Sequence, residues 1–344
     1  MFRSTFPLSI VLIGSLLPGC NVGRIAANSS TKVAEAGSEG INGFWDYEIF
    51  GQAVPGAILQ SEALVRSSPN NEDLLLGLAK SYVSYAYGWV QDDWEQADDK
   101  GDFEKADRLE QRVMLLYKRA AQLGLRATHA RDGGGQLREK LKARDLPALK
   151  TYLSQNFTNK EDAAALYWAG LAWGSQMANS GGSVADLADA PVARTLLERS
   201  VELDPGYADA GALGVLGTVE ASFPELFGGN LEKAKGYYER ALEVCNRRNH
   251  LILLSYAKTY AVAKQDRALF VELLMEILNA PDQGSDIRMV NKVARHRAER
   301  YIKKVDDWFD PALPPEPAEE APEEAPQPEG KGPENLPQAT AQGH

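Results

Sequence analysis

A recurring helical spacing constrains this chain more than any other feature. In residues 191–205 (PVARTLLERSVELDP), Ala193, Leu197, Ser200 and Pro205 stand four, three and five residues apart. In residues 230–245 (NLEKAKGYYERALEVC), Ala234, Tyr238 and Ala241 repeat the four-and-three step. Steps of three and four place side chains on one face of an α-helix. A small residue there lets a second helix approach closely, a bulky one fills the groove between the two, and a proline ends the helix. The pattern predicts the second helix of a helical hairpin, used at least twice. Ser200 and Ala241 are 41 residues apart, and the loop at 223–229 (FPELFGG) absorbs the excess over a compact repeat.

The same step occurs at Val113, Tyr117 and Ala120, and first-helix positions recur at Leu75, Leu78, Ala79 and Tyr82 and at Trp168, Leu171 and Ala172. This is the grammar of tetratricopeptide units. Four helical pairs follow: 74–89 with 103–123, 162–173 with the 191–205 helix, 207–221 with the 230–245 helix, and 251–263 with 266–278. Asn70 is expected to cap the first helix, with Asp73 at its third position. Pro55 is expected to interrupt the apolar stretch at 44–67. Residues 91–102 (QDDWEQADDKGD) lack an apolar face and read as a solvated acidic loop; Gln96 and Lys100 would occupy ligand positions if it were a calcium loop, which excludes that reading. A basic amphipathic helix at 285–309 closes the array, presenting a polar face where a solenoid ends. His296 falls on its surface. The fold class is all-α, a compact α-solenoid of tetratricopeptide-like hairpins with a closing C-terminal helix.

The chain begins with Arg3, an uncharged run at 6–17, and then Leu17-Pro18-Gly19-Cys20. Twelve apolar residues are too few to span a bilayer as a helix, and the arrangement matches an export signal. Its end resembles a bacterial lipobox, which makes Cys20 a lipid attachment site; Pro18 is irregular in that motif. Asn21 stands where Asp would favour inner-membrane retention, so the expected location is the periplasmic side of the outer membrane. With Cys20 lipidated, Cys245 has no disulfide partner and reads as a buried structural thiol. Domain limits follow: signal 1–20, tether 21–43, helical body 44–309, tail 310–344. The tail holds nine of the 18 prolines and seven Glu against one Lys, too little apolar surface to fold. The formal net charge of −11 excludes nucleic acid and charge-driven binding to anionic lipid.

Catalytic chemistry has little to stand on. Four His (His129, His250, His296 and His344) show no metal-ligand spacing, and no His-Glu-x-x-His, Cys-x-x-Cys or Gly-x-Ser-x-Gly is present. A non-enzymatic protein without cofactor or metal is expected. The aromatics carry more information. Most should fill gaps between helices; Trp89, Trp173, Phe223 and Phe227 fall off the packing positions and are the candidates for a ligand or partner surface. Ala193, Leu197, Ala234, Tyr238 and Ala241 are assigned to repeat packing alone.

Six stretches carry a family resemblance: 76–86 (LGLAKSYVSYA), 115–126 (LLYKRAAQLGLR), 166–174 (LYWAGLAWG), 223–241 (FPELFGGNLEKAKGYYERA), Tyr256-Ala257 with Asp266-Arg267, and 290–298 (VNKVARHRA). Together they resemble the TatT family of tetratricopeptide lipoproteins of TRAP-type (tripartite ATP-independent periplasmic) transporters, over roughly 44–308. The acidic Pro-rich tail has no counterpart in that family. The resemblance implies a lipid-anchored periplasmic protein, a homotrimer. It also implies a partner, the transporter's solute-binding protein, to which this chain docks and with which it passes a small apolar organic ligand. The competing expectation is a generic tetratricopeptide scaffold lipoprotein of envelope biogenesis.

Overall fold

The computed structural model describes residues 27–30, 32, 37, 39–180, 184–223 and 229–309. The expectations for 1–20 with Cys20, for Phe227 and for the tail at 310–344 lie outside these residues. Every regular element among the described residues is helical. The first four are α1 (Tyr47–Ser67), α2 (Glu72–Tyr85), a π-helical turn (Ala86–Val90) and α3 (Gln91–Asp99). Next come α4 (Phe103–Arg131), α5 (Leu137–Ala143), α6 (Leu146–Asn156), α7 (Asp162–Ala178) and α8 (Val184–Leu203). After these run α9 (Gly211–Ser222), α10 (Leu231–Val244), α11 (His250–Ser255), a second π-helical segment (Tyr256–Ala261) and α12 (Arg267–Asn279). Finally α13 (Arg288–Tyr301), a 3₁₀ turn (Ile302–Lys304) and α14 (Val305–Trp308) close the body.

Local chemistry sets the helix starts. Asp46, Asn71, Asp102, Asp145, Asn230 and Asp266 each accept a hydrogen bond from the backbone N–H three residues on, at 2.8–3.2 Å. Each such cap is worth about 1 kcal/mol. The first hairpin is capped by Asn71, not by Asn70. Two prolines are carried inside helices. α1 runs through Pro55 and α8 begins at Val184, seven residues before Pro191. Each proline removes one backbone bond. Burial on either side of Pro55 (Gly51 and Ile58) and just after Pro191 (Val192, Ala193, Leu196 and Leu197) holds each helix in register.

The hairpins pack where small residues permit. α4 lies along α2 and α7, α7 along α8, and α9 along α10. A Cβ on Gly124 would meet the Ala169 backbone at 2.9 Å, and one on Gly170 would meet Leu197 Cγ at 2.7 Å. Gly217 faces the Tyr238 ring at 3.0 Å. Ala193, Leu197, Ala234, Tyr238 and Ala241 are all buried. The Tyr238 hydroxyl sits between Thr218 and Thr259 Oγ1 at 2.9 and 2.8 Å, and its ring stacks on Tyr256. Cys245 is a buried free thiol.

Three further expectations change. Residues 207–210 are not the start of a helix: Ala208, Asp209 and Ala210 adopt φ of 52°, 50° and 61°, a left-handed turn of non-glycine residues. Asn249 Nδ2 holds it, donating to the carbonyls of Ala208 and Asp209 at 3.4 and 3.0 Å. Residues 91–99 are helical, so α2, the π turn and α3 form one continuous rod and only Lys100–Asp102 turns the chain. Within the stretch 21–43, expected to be a tether, residues near both ends touch the body. Ala27 is buried, Asn28 Oδ1 accepts from Ser68 and Asn71, and Glu39 accepts from Ser285.

Candidate functional site

The two ends of the body meet. α3 presents Asp92, Glu95 and Asp99 at steps of three and four, and α13 with its 3₁₀ extension presents Arg297, Arg300 and Lys304 at the same steps. The stripes interlock across about 200 residues of sequence. Arg300 Nη2 reaches Asp92 at 2.7 Å and also binds Glu95, Arg297 Nη1 reaches Glu95 at 3.2 Å, and Lys304 binds Asp99. His296 Nε2 lies 3.3 Å from Asp92 Oδ2. The predicted polar end face is therefore a paired seam, and the side chains of Asp92 and Arg297 are each 2% exposed. Ions taken this far out of water need several partners to offset desolvation.

The π turn supplies some of them. A π-helical insertion leaves backbone carbonyls free to point away from the rod. Tyr87 C=O accepts from Arg297 Nη2 at 2.7 Å, and Gly88 C=O accepts from the Tyr47 hydroxyl. The Arg297 guanidinium lies 4.1 Å over the Tyr87 ring. The Nε–H groups of Arg297 and Arg300 remain without a hydrogen-bond acceptor among the described residues, although Asp92 Oδ1 is 3.7 Å from Arg297 Nε.

These neighbours set the protonation states. Burial would raise the Asp92 carboxyl, but the hydrogen bond with His296 and the charges of Arg297 and Arg300 outweigh it and hold Asp92 well below the usual carboxylate range. Glu95 is also lowered: burial opposes, and Arg297 and Arg300 prevail. The bond to Asp92 raises the His296 imidazole against partial burial. Burial pushes the Lys258 ammonium down to about 8; Glu95 opposes this and the nearby Arg300, Arg297 and Lys304 add to it. Lys258 Nζ lies over the Trp308 and Tyr301 rings, at 3.6 and 4.9 Å. The cluster is a set of fixed charges, suited to holding helices in place.

Beside the seam runs a row of rings. Trp89, in the π turn, stacks on Tyr47 (5.0 Å between centroids) and Phe50 (5.5 Å) and neighbours Tyr85 (6.3 Å). Its indole covers Gly51, where a Cβ would come within 2.2 Å of Nε1. Tyr47 stacks in turn on His296 at 4.4 Å, joining the row to the charges.

The other predicted surface residues lie elsewhere. Trp173, near the end of α7, is half-buried between the α2–α4–α7 core and the α5–α8 core. Phe223 lines a small hollow of about 280 Å³ with Ala221, Leu231 and Ala263. No ring contact among the described residues joins Trp89, Trp173 and Phe223. A larger open hollow of about 490 Å³ lies between Arg247, His250, Met275 and Pro281 and was not foreseen. Among the described residues no group of three or more His, Cys, Asp or Glu could hold a metal ion, and no helix is long and apolar enough to cross a membrane. Asp92 and Glu95, expected on a loop, lie on helix α3 and so share a face with Asp99. The matched spacing of the two charge stripes was the available signal.

The body is all-helical and built of packed hairpins, with α3 and α13 clasped by charge. A family model described as "TRAP transporter T-component" matches residues 45–309, from just before α1 to just beyond α14. An "Uncharacterized protein" of Treponema pallidum (strain Nichols) is 26% identical over 267 residues, covering 77% of this chain and 80% of that protein. The chain belongs to the TAtT family, the T-component of TRAP transporters.

Proposed function

We propose that this chain is a lipid-anchored periplasmic accessory of a TRAP-type transport system, held at the outer membrane through Cys20. It docks the system's solute-binding protein, assembles as a homotrimer and helps pass a small apolar organic ligand. It does so without catalysis or cofactor. The observation that carries this reading is the extent of the family match, which takes in every helix from α1 to α14. Packed hairpins offer extended surfaces to a partner. Trp173, Phe223 with Phe227, and Trp89 are the proposed border of the partner and ligand surface; their aromatic faces give a large apolar area at low entropic cost.

The test is titration of the purified protein with the TRAP solute-binding protein of the same organism, followed by sedimentation velocity across physiological salt. The expected result is a saturable complex that Trp173→Ala and Phe223→Ala weaken at least tenfold, with the fold intact by circular dichroism. Failure to form any complex would overturn the docking reading. Capture of outer-membrane assembly factors in its place would establish the generic scaffold.

A further inference from the structure

Half of the exposed large apolar residues in the described body fall on one short stretch. Ile41, Trp45, Ile49 and Leu59 are 54%, 65%, 51% and 73% exposed. The first three lie within nine residues where the chain enters α1, and the Phe44 N–H bonds the Ile41 carbonyl, folding the stretch into one turn. Trp45 is supported from behind. Its ring stacks on Phe44 at 6.1 Å, Phe44 leans on Phe50 at 6.4 Å, and Phe50 stacks on Trp89. Arg288 Nη1 donates to the Gly43 carbonyl at 2.7 Å and fixes the entry to the turn. The indole is thus presented on a rigid mount.

The outer face of α1 continues the patch. From Ile49 to Ala63 every exposed residue is uncharged, over about 21 Å of helix. A helix face in water normally carries charged residues, as α4 does with exposed Glu104, Lys105, Arg108 and Glu110 beside Phe103 and Leu115. Glu62 is no exception on α1, because Arg119 binds it bidentately.

We infer that Ile41, Trp45 and Ile49, with the outer face of α1, rest on a zwitterionic phospholipid surface. The inference builds on the reading of Cys20 as the lipid attachment point. Ala27, seven positions after Cys20, is already buried in the body, so the free reach is at most about 25 Å. Ala27 packs with Ile58 and Val65 of α1, so the anchor would hold the body close to the bilayer on the side where α1 lies. Tethering raises the patch's local concentration there to the order of millimolar, so weak intrinsic affinity is enough. Tryptophan with flanking aliphatics suits the headgroup boundary, and a face without charges has little to desolvate. Asp46 and Glu48 beside the patch, and the net charge of −11, select zwitterionic over anionic lipid; Asp46 is also occupied in capping α1.

The test uses the full protein purified from the membranes of the producing cell and reconstituted into phosphatidylcholine vesicles brominated near the headgroup. Wild type should lose a fraction of its tryptophan emission to the brominated lipid, and Trp45→Phe should lose less than a third of that fraction. Equal quenching of the two proteins would overturn the inference, whether Trp45 faces water, a second copy or the solute-binding protein. Protein that floats with the vesicles but shows no Trp45-dependent quenching overturns this inference alone. Protein that does not associate with membranes overturns the anchor reading and this inference with it.

Discussion

The middle hairpins and the terminal seam of this protein join helices by opposite means. Between α7 and α8 and between α9 and α10 the contact is small against large: Gly170 receives Leu197, and Gly217 receives the Tyr238 ring. Between α3 and α13 it is charge against charge, three carboxylates facing Arg297, Arg300, Lys304 and His296 with almost no water at Asp92 and Arg297. Apolar contacts of the first kind are stabilising and forgiving. Burial of ions is roughly neutral when complete and severe when one partner is lost. The middle therefore supplies stability, and the seam supplies specificity, fixing which helix closes the array and in what register.

The largest effect should come from breaking the seam on one side. Arg297→Leu leaves Asp92 and Glu95 buried without their central cation and should destabilise the protein by roughly 3–5 kcal/mol, read as a lowered unfolding midpoint in urea. A loss below about 1 kcal/mol, the ordinary value for a surface pair, would show that the seam is superficial. In the middle, Ala241→Leu forces a larger side chain against a filled groove and should cost roughly 1–3 kcal/mol through overpacking, by the same measurement. Asn249→Ala removes the donor that holds the left-handed turn at Ala208–Ala210 and should cost about 1 kcal/mol. A glycine at Ala208 should recover part of that loss.

The smallest effect is a pH dependence confined to the seam. The folded pKa of His296 is raised, so its contribution is full below the ordinary imidazole value and fades as pH rises through the raised one. Because the ring is 38% exposed, solvent screening keeps the contribution below about 1 kcal/mol. The melting temperatures of wild type and His296→Gln should differ most below the ordinary imidazole value and converge as the pH rises past the raised one. Asp92 and Glu95 run the other way, since their lowered values make a contribution that disappears only as strong acid protonates them.

Much of the middle could be read in the sequence because its contacts are local and periodic. The four-and-three step at Ala193–Leu197–Ser200 and at Ala234–Tyr238–Ala241 is a direct imprint of one helix lying on the next. The helical class and the family follow from such stretches. The seam was harder to see. Residues 91–99 bury acids in place of hydrophobes, so a search for apolar periodicity finds a loop there, and the partner stripe lies about 200 residues away. The π turn that joins them leaves no composition signal. Trp89 stands off the repeat positions because it lies in the π turn, and its ring covers Gly51. The left-handed turn at 208–210 contains no glycine, so nothing in those residues announced it.

α3 and α13 should form one cooperative unit across about 200 residues of sequence. Native-state hydrogen exchange tests it directly. Amides of α3 and α13 should be protected to the same free energy, and Arg297→Met should lower both together while α9 and α10 keep most of their protection. Rapid exchange in α13 alone, with α3 unaffected by the substitution, would contradict it.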